Sequence, residues 1–373
     1  MDNKIKVMHI AQAAGGVSRY LETMLKYSDR ERFENILVCS NDYSLSDFEG
    51  LVDAVEFVDM QREIGFSDLK TAFKIRRLIK KYRPDVVYAH SSKAGASARL
   101  GNLFIKNKLI YNPHGWAFNM KVSSKKKKIL ALLERIMAHF SDKIVCISEA
   151  ERGDALKHKI CKPEKLRVIL NGIDIDGYTG KKAPGKSALG IPGDAYVVGM
   201  VGRISEQKAP DVFIKAAGII KKEIPNAYFI IVGDGEQRNE IEALANKCVI
   251  GNSLMITGWT DNAADYVAEF DTAVLLSRWE GFGLVLPEYM VSKKPVVACA
   301  VDAIPEIVRD GENGLLVEPD NPEAAAEAVL RVYRDKNLAE RLIENGYKCA
   351  VEKYDVKRAA EETRSLIEEL ISK

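Results

Sequence analysis

Short runs of aliphatic and β-branched residues alternate along the chain with longer stretches whose apolar positions recur every three or four residues. In the first half the runs are IKVMHIAQ, ENILVCS, VEFVDM, DVVYAH, LIYNPH, KIVCIS and LRVILNG; in the second they are YVVGMVGR, AYFIIVGDG, LMITGW, TAVLLSR, PVVACA and GLLVEP. Runs that are apolar throughout belong to strands covered on both faces, and helices between them supply the cover. The pattern predicts an α/β chain with two parallel sheets in two doubly wound domains. A length of 373 residues, too much for one ordinary core, agrees. The break falls in NGIDIDGYTGKKAPGKSALGIPGD, residues 171–194, which is rich in Gly, Pro and Lys. We draw the domains as 1–172 and 173–355.

Composition changes this picture little. Apolar residues are 47% and charged residues 29%, ordinary for a globular protein. No run of eighteen uncharged apolar residues reads as a membrane span. MDNKIKVMHIAQ enters a strand pattern at once, with no signal peptide ahead of it, so the expected location is the cytoplasm. The six cysteines form no CxxC pair and read as free, buried thiols. Charge is more informative. Residues 1–170 hold 31 Lys+Arg against 20 Asp+Glu, about +11, and the remainder holds 24 against 33, about −9. A basic half implies an anionic partner, either nucleic acid or a membrane surface.

In open α/β sheets ligands bind beyond the carboxyl ends of the strands, so residues just after each strand matter most. After the first strand, Gly15 and Gly16 open a helix and can present bare N–H groups to an anion; a plain tight turn explains them equally. GxGxxG and an acid closing the second strand are both missing, which disfavours a nicotinamide cofactor. In VGRISEQKAPDVF, Arg203 and Lys208 flank a loop entering a helix, which suits a diphosphate; the bland alternative is a solvated basic pair. In LLSRWEGFGLVLPEYM a strand ends, RWEGFG turns, and a helix starts near Leu284 with Pro287 in its first turn. Gly281 and Gly283 let backbone approach a ligand. Glu280 on the loop and Glu288 in the helix would bracket that ligand and accept hydrogen bonds from neighbouring hydroxyls, as a polyol offers. A helix-dipole role would cover Glu288 but not Glu280.

Glu280 through Glu288 resembles the E-x7-E motif of retaining glycosyltransferases of family 4. The resemblance runs over nearly the whole chain, through the Gly15–Gly16 turn, HSSKAG at 90–95, PHGW at 113–116, CISEAE at 146–151, NGID at 171–174, GRISEQK at 202–208, VGDG at 232–235 and NGLLV at 313–317. It implies the GT-B fold, two Rossmann-like domains facing across a cleft, with an acceptor-side first domain and a donor-binding second. The last helix, 356–373, is expected to pack back on the first domain. By the resemblance Arg203 and Lys208 hold the donor diphosphate, Glu288 the ribose, and Glu280 the sugar hydroxyls. Backbone of Phe282, Gly283 and Leu284 cradles sugar and phosphates, His114 meets the sugar near the reacting carbon, and Gly258–Trp259 packs on the base. Gly15, Gly16 and Gly202 complete the donor-binding set. SRWEG departs from the Pro-Ser common before this Glu, which leaves loop geometry and sugar preference open. No cofactor is implied beyond the co-substrate, a UDP- or GDP-sugar, and no metal.

Asp174–Asp176 has the DxD form of a metal-chelating motif but follows NG in the linker, where a turn and cap role is expected. His90 and Lys93 are candidate acceptor contacts, against a satisfied strand-end histidine for the first. Basic stretches at 69–84 and 121–140, the second opening with Lys125 to Lys128, suit an anionic membrane surface. Solvated helix faces are the plain alternative for both. Aromatic stacking platforms are lacking, so nucleic acid is the weaker partner. The expected activity is metal-independent, configuration-retaining hexosyl transfer to a hydroxyl of a lipid-linked saccharide in surface polysaccharide synthesis, by a cytoplasmic protein peripheral to the membrane. A sugar-nucleotide epimerase or hydrolase, a non-catalytic nucleotide binder, and a transferase with a small soluble acceptor are the rivals.

Overall fold

A computed structural model describes residues 4–12, 15–60, 67–120, 122–179 and 183–372. The chain divides into two compact units, residues 1–172 with 356–373, and 173–355. The first holds seven parallel strands: β1 (Ile5–Ala11), β2 (Phe33–Cys39), β3 (Ala54–Phe57), β4 (Val86–His90), β5 (Lys108–Asn112), β6 (Lys143–Cys146) and β7 (Leu166–Val168). Their order is β3-β2-β1-β4-β5-β6-β7. Alternation along β1 shows why uniformly apolar runs form this sheet. Met8 and Ile10 enter one core with Val87, Ala89 and Tyr111, while Val7 and Ala11 enter the opposite core with Tyr88 and Ile110. The helices are α1 (Gly16–Lys26), α2 (Ser67–Tyr82), α3 (Ser92–Gly101), α4 (Ser124–Met137) and α5 (Glu149–Lys157).

The second unit has six parallel strands: β8 (Tyr196–Val201), β9 (Ala227–Val232), β10 (Leu254–Ile256), β11 (Thr272–Leu275), β12 (Val296–Cys299) and β13 (Leu315–Val317). Their order is β10-β9-β8-β11-β12-β13. Its helices are α6 (Pro210–Glu223), α7 (Arg238–Lys247), α8 (Ala263–Ala268), α9 (Val285–Val291), α10 (Ile304–Ile307), α11 (Pro322–Arg334) and α12 (Lys336–Lys353). The final helix α13 (Val356–Ile371) belongs to the first unit. It buries Val356, Ala359, Leu366, Ile367 and Leu370 with residues of α1 and β2, and Arg358 Nη2 donates to the Leu170 carbonyl at 2.7 Å. Both sheets reverse strand order once, between β1 and β4 and between β8 and β11. The carboxyl ends of those pairs are where open α/β sheets place ligands.

Helix α4 is inverted relative to an ordinary surface helix. Its inward face carries Ala131 and Glu134, and Glu134 is paired with buried Arg99 at 3.1 Å and accepts from Tyr111 Oη at 2.9 Å. Its outward face carries Ile129, Leu132, Leu133 and Ile136, each about half exposed, continued by Phe140. Spacings of three and four place these five on one stripe. The exposed Lys125, Lys126 and Lys128 precede it. Among the described residues no helix is long and apolar enough to cross a membrane.

Candidate functional site

At the second switch point two loops meet. The first follows β8: Gly202, then a short turn Glu206–Lys208, then Ala209 at φ +49° and Pro210 opening α6. The second follows β11 and runs into α9. Lys208 Nζ lies 2.5 Å from Glu280 Oε2, and Ser277 Oγ donates to the same oxygen at 3.1 Å. The pair is mostly buried, with 17% and 11% of the two side chains exposed. The Glu280 backbone N–H donates to Asp302 at 2.8 Å. Gly283, at φ +84°, turns the chain into α9; a Cβ there would also stand 3.1 Å from the Leu275 side chain. Leu284 is the N-cap of α9, and Glu288 is buried within its first turn.

Arg278 explains how this loop is held. Its Nη2 reaches both Asp211 oxygens at 2.9 Å, its Nε reaches Asp320 at 2.6 Å, and its Nη1 donates to the Glu206 carbonyl at 2.8 Å. Arg278 N donates to the Gln207 carbonyl, and Gln207 Nε2 returns a bond to the Trp279 carbonyl at 3.1 Å. The departure SRWEG therefore supplies a four-pronged clamp joining the Lys208 loop to the Glu280 loop. Sequence reasoning flagged the stretch without finding the clamp, because Asp211 and Asp320 lie far away along the chain.

Neighbouring loops carry the rest of the candidate donor set. Arg203 Nε pairs with Glu236 Oε2 at 2.9 Å, an ion pair about half exposed on both sides. Gly233, at φ +144°, packs so tightly that a Cβ would come within 2.2 Å of the Gly202 carbonyl, which draws the β8 and β9 loops together. Gly258 follows β10, and Trp259 is 73% exposed. Phe282 is buried, its ring 5.6 Å from that of Tyr354, so its backbone alone is available to a ligand. The structure thus brings Gly202, Lys208, Glu280 and Gly283 into one cluster, with Arg203 held by Glu236 on the adjacent loop.

In the first unit Gly15 is the N-cap of α1 at φ +129°, with Gly16 the first helical residue. His114 follows β5 at φ +52°, its backbone N–H held by Asn112 Oδ1 at 3.0 Å. His90 Nδ1 lies 3.1 Å from His114 Nε2, and His90 is fully buried. That is the satisfied strand-end histidine, not a side chain offered to an acceptor. Lys93 lies half-buried in the first turn of α3. Burial pushes His114 down to about 3 and His90 well below the usual histidine range, so both are neutral near pH 7.

Glu151 escaped the sequence reading. It accepts from Gly115 N at 2.7 Å and Ile147 N at 2.6 Å, and Trp116 Nε1 donates to its carbonyl. It so ties the HGW loop to the start of α5, and burial pushes its carboxyl up to about 7. The available signal was Ser148-x-x-Glu151, a capping-box spacing; Ser148 Oγ does accept from Glu151 N at 3.0 Å. Asp174 sits at the N-cap position of a turn, Ile175–Gly177, but its side chain makes no cap hydrogen bond, so the turn is present and the capping role is not. Among the described residues no group of three or more His, Cys, Asp or Glu side chains is arranged to hold a metal ion.

Comparison with known proteins agrees with these features. Residues 14–176 match the model of Glycosyltransferase Family 4, and residues 182–349 that of Glycosyl transferases group 1. The chain is 28% identical over 347 residues to a UDP-Gal:alpha-D-GlcNAc-diphosphoundecaprenol alpha-1,3-galactosyltransferase from Escherichia coli, covering 90% of each chain. It is 24% identical to the capsular polysaccharide biosynthesis glycosyltransferase CapM of Staphylococcus aureus, covering 97% of this chain and 96% of that one. The structure of Anabaena HepE in complex with UDP and glucose superposes with a TM-score of 0.86 at 22% identity, over 98% of this chain and all of that one. Two parallel-sheet Rossmann-like units, matched in turn by two models that between them take in most of the sequence, identify the chain as a GT-B protein that belongs to glycosyltransferase family 4.

Proposed function

We propose that the protein transfers a sugar from a nucleoside-diphosphate sugar to a hydroxyl of a lipid-linked saccharide, with retention of anomeric configuration, in surface polysaccharide synthesis. The observation that carries this reading is the mostly buried Lys208–Glu280 pair at the β8/β11 switch point, beside the start of α9. A cation and a hydroxyl-accepting carboxylate there match the two ends of a sugar diphosphate. The name of the Escherichia coli relative supports the lipid-linked acceptor, that of the Staphylococcus aureus relative supports polysaccharide synthesis, and the UDP and glucose bound to HepE support UDP within the expected UDP- or GDP-sugar class.

In the reaction the acceptor hydroxyl attacks the anomeric carbon from the face the diphosphate leaves. The C–O bond to phosphate breaks with its electron pair going to the phosphate oxygen, and that oxygen takes the hydroxyl proton. Lys208 and Arg203 stabilise the growing phosphate charge. Arg203 must then exchange Glu236 for the diphosphate. Glu280 accepts from sugar hydroxyls and Glu288 from ribose, and Trp259 packs on the base; in the first unit His114 is the residue proposed to meet a substrate. No step uses a metal. Lys93 is a contact for the acceptor phosphate. The stripe on α4, led by its lysines, docks the protein on an anionic bilayer where the acceptor resides.

The test is thermal unfolding with a panel of sugar nucleotides. One that binds should stabilise by about 2.7 kcal/mol at a hundred times its Kd, and the corresponding transfer product should form with membrane-extracted lipid acceptor. A panel in which no sugar nucleotide raises the melting temperature overturns the reading.

A further inference from the structure

Three histidines from three separate strands and loops stand in one hydrogen-bonded file in the first unit. His9 lies in β1, His90 closes β4, and His114 follows β5. His9 Nδ1 is 3.3 Å from His90 Nε2, and His90 Nδ1 is 3.1 Å from His114 Nε2. The rings stack, with centroids 5.6 and 5.3 Å apart. At the inner end His9 Nε2 lies 3.4 Å from Asn35 Oδ1 in β2. The Asn35 amide nitrogen reaches Ser28 Oγ at 3.0 Å, and its oxygen faces His9. His9, His90 and Asn35 are buried, and His114 alone of the three histidines keeps partial exposure.

A neutral imidazole has one donor and one acceptor nitrogen, so a file of them has a direction, and its end sets that direction. Asn35 Oδ1 can only accept, so His9 Nε2 carries the hydrogen and His9 Nδ1 is bare. His9 Nδ1 then accepts from His90 Nε2–H, and His90 Nδ1 accepts from His114 Nε2–H. An imidazolium would set donor against donor at a neighbour, and burial pushes all three histidines below their ordinary range, His9 to about 4. His114 is left with Nδ1 as its unprotonated nitrogen. The His114 backbone N–H is bonded to Asn112, and its ring makes an edge-to-face contact with that of Tyr20, centroids 4.7 Å apart.

We propose that Asn35, His9 and His90 are positioning residues that hold His114 as the Nε2–H tautomer, so that its Nδ1 is left to accept the hydrogen of a substrate hydroxyl. The proposal deepens the reading above and rests on His114 meeting a substrate. It makes the specificity of the outermost histidine depend on an asparagine two histidines away. Were the Asn35 amide turned over, every bond in the file would reverse and His114 would offer an N–H instead.

The chain has only five histidines, so ring nitrogens can be assigned by single replacements in the 15N-labelled protein. The expected spectrum shows His114 with a protonated Nε2 and a bare Nδ1. His90→Phe keeps the stacked ring and removes both hydrogen bonds. It should leave His114 in mixed tautomers and lower kcat about tenfold, the scale of one hydrogen bond. Calorimetric binding of free nucleoside diphosphate should stay unchanged. His90→Gln, whose amide can donate to His9 and accept from His114, should restore the tautomer and much of kcat, which a merely structural role would not produce. A wild-type spectrum with hydrogen on Nδ1 and a bare Nε2 overturns the proposal, even if His90→Phe fails to fold. A His90→Phe protein with unaltered tautomer and kcat overturns it as well. The spectrum needs no turnover, so failure of the glycosyltransferase reading would be seen separately, as no product from any sugar nucleotide with the tautomer intact.

Discussion

Replacing Lys208 with alanine should cost both turnover and stability, whereas replacing Arg203 should cost turnover alone. Lys208 and Glu280 are in contact at 2.5 Å with 17% and 11% of their side chains exposed, so Lys208→Ala strands a largely desolvated carboxylate with Ser277 as its remaining side-chain partner. Breaking a buried pair from one side typically costs 3–5 kcal/mol. The residual exposure and the Ser277 bond put this case near the lower bound, about 3 kcal/mol. For a unit of this size that is roughly a 6–12 °C fall in melting temperature. The Arg203–Glu236 pair is 48% and 56% exposed, and such pairs contribute roughly 0–1 kcal/mol, so Arg203→Ala should melt within a degree or two of wild type. On the proposed reading, in which each charge is directed at the leaving diphosphate, both variants should lose about two orders of magnitude in turnover. The double variant Lys208→Ala/Glu280→Gln removes the stranded charge and should recover most of the lost melting temperature while remaining inactive. Calorimetric melts and initial transfer rates on the four proteins decide the matter. A Lys208→Ala protein that melts like wild type, or a double variant no more stable than the single, would refute the coupling. Near-normal turnover in both single variants would refute the diphosphate clamp itself.

Four further outcomes follow from the geometry. Glu288→Gln should weaken calorimetric binding of free nucleoside diphosphate, while Glu280→Gln should spare that binding and impair transfer; equal losses would end the division of roles. Transfer should persist in excess EDTA, and loss restored by added Mg²⁺ or Mn²⁺ would return Asp174 and Asp176 to consideration. Arg278→Lys cannot reproduce the fork to Asp211 and Asp320 and should lower kcat about tenfold or more with folding retained, so wild-type kcat would show that the clamp is dispensable. Burial raises the Glu151 carboxyl from 4.5 to about 7, so between those values the folded state holds a proton the unfolded chain has lost; the stability this contributes is full below about pH 4.5, falls as pH rises to about 7, and is flat beyond. Melting temperature against pH should therefore decline more steeply for wild type than for Glu151→Gln over that window, and parallel curves would contradict the assignment.

What was legible in the sequence was whatever acts locally. Apolar runs located the strands of both sheets, most plainly the central ones, whose burial on both faces leaves few polar positions to confuse the pattern. The turn glycines and the nine-residue span from Glu280 to Glu288 are likewise local and were found. Partnerships across the sheet were not legible. Nothing in the chain announces that Arg278 will meet Asp211 and Asp320, or that His9 will queue behind His90, because those contacts exist only once strand order is set. The basic stretch at 121–140 likewise does not announce which side of α4 faces outward. An apolar stripe normally faces the core, and here the buried Arg99–Glu134 pair holds the polar side inward instead.

That inversion alters what a vesicle experiment should show. From charge alone, each lysine near an anionic surface contributes about 1 kcal/mol, and the attraction fades towards 1 M salt as the screening length falls to about 3 Å. The stripe adds a salt-insensitive part. Ile129, Leu132, Leu133, Ile136 and Phe140 are each about half exposed, and fully burying such a side chain contributes about 1.5–3 kcal/mol, so bringing their exposed halves into the acyl boundary contributes a total of about 4 kcal/mol or more. The two parts are similar in size. Co-sedimentation with vesicles containing anionic lipid should therefore weaken from 0.15 M to 1 M salt without vanishing. Lys125 to Lys128 replaced by Ser should lose the salt-sensitive part only. Leu132→Ser/Leu133→Ser should lose much of the salt-resistant part while leaving thermal stability near wild type, since those side chains already face outward. Turnover of a short soluble acceptor should be unaffected by either set. If the wild-type protein ignores anionic vesicles at every salt concentration, the stripe does not meet a bilayer and a soluble acceptor becomes the better reading. If binding vanishes fully at high salt, the lysines act alone and the outward turn of α4 has no part in docking.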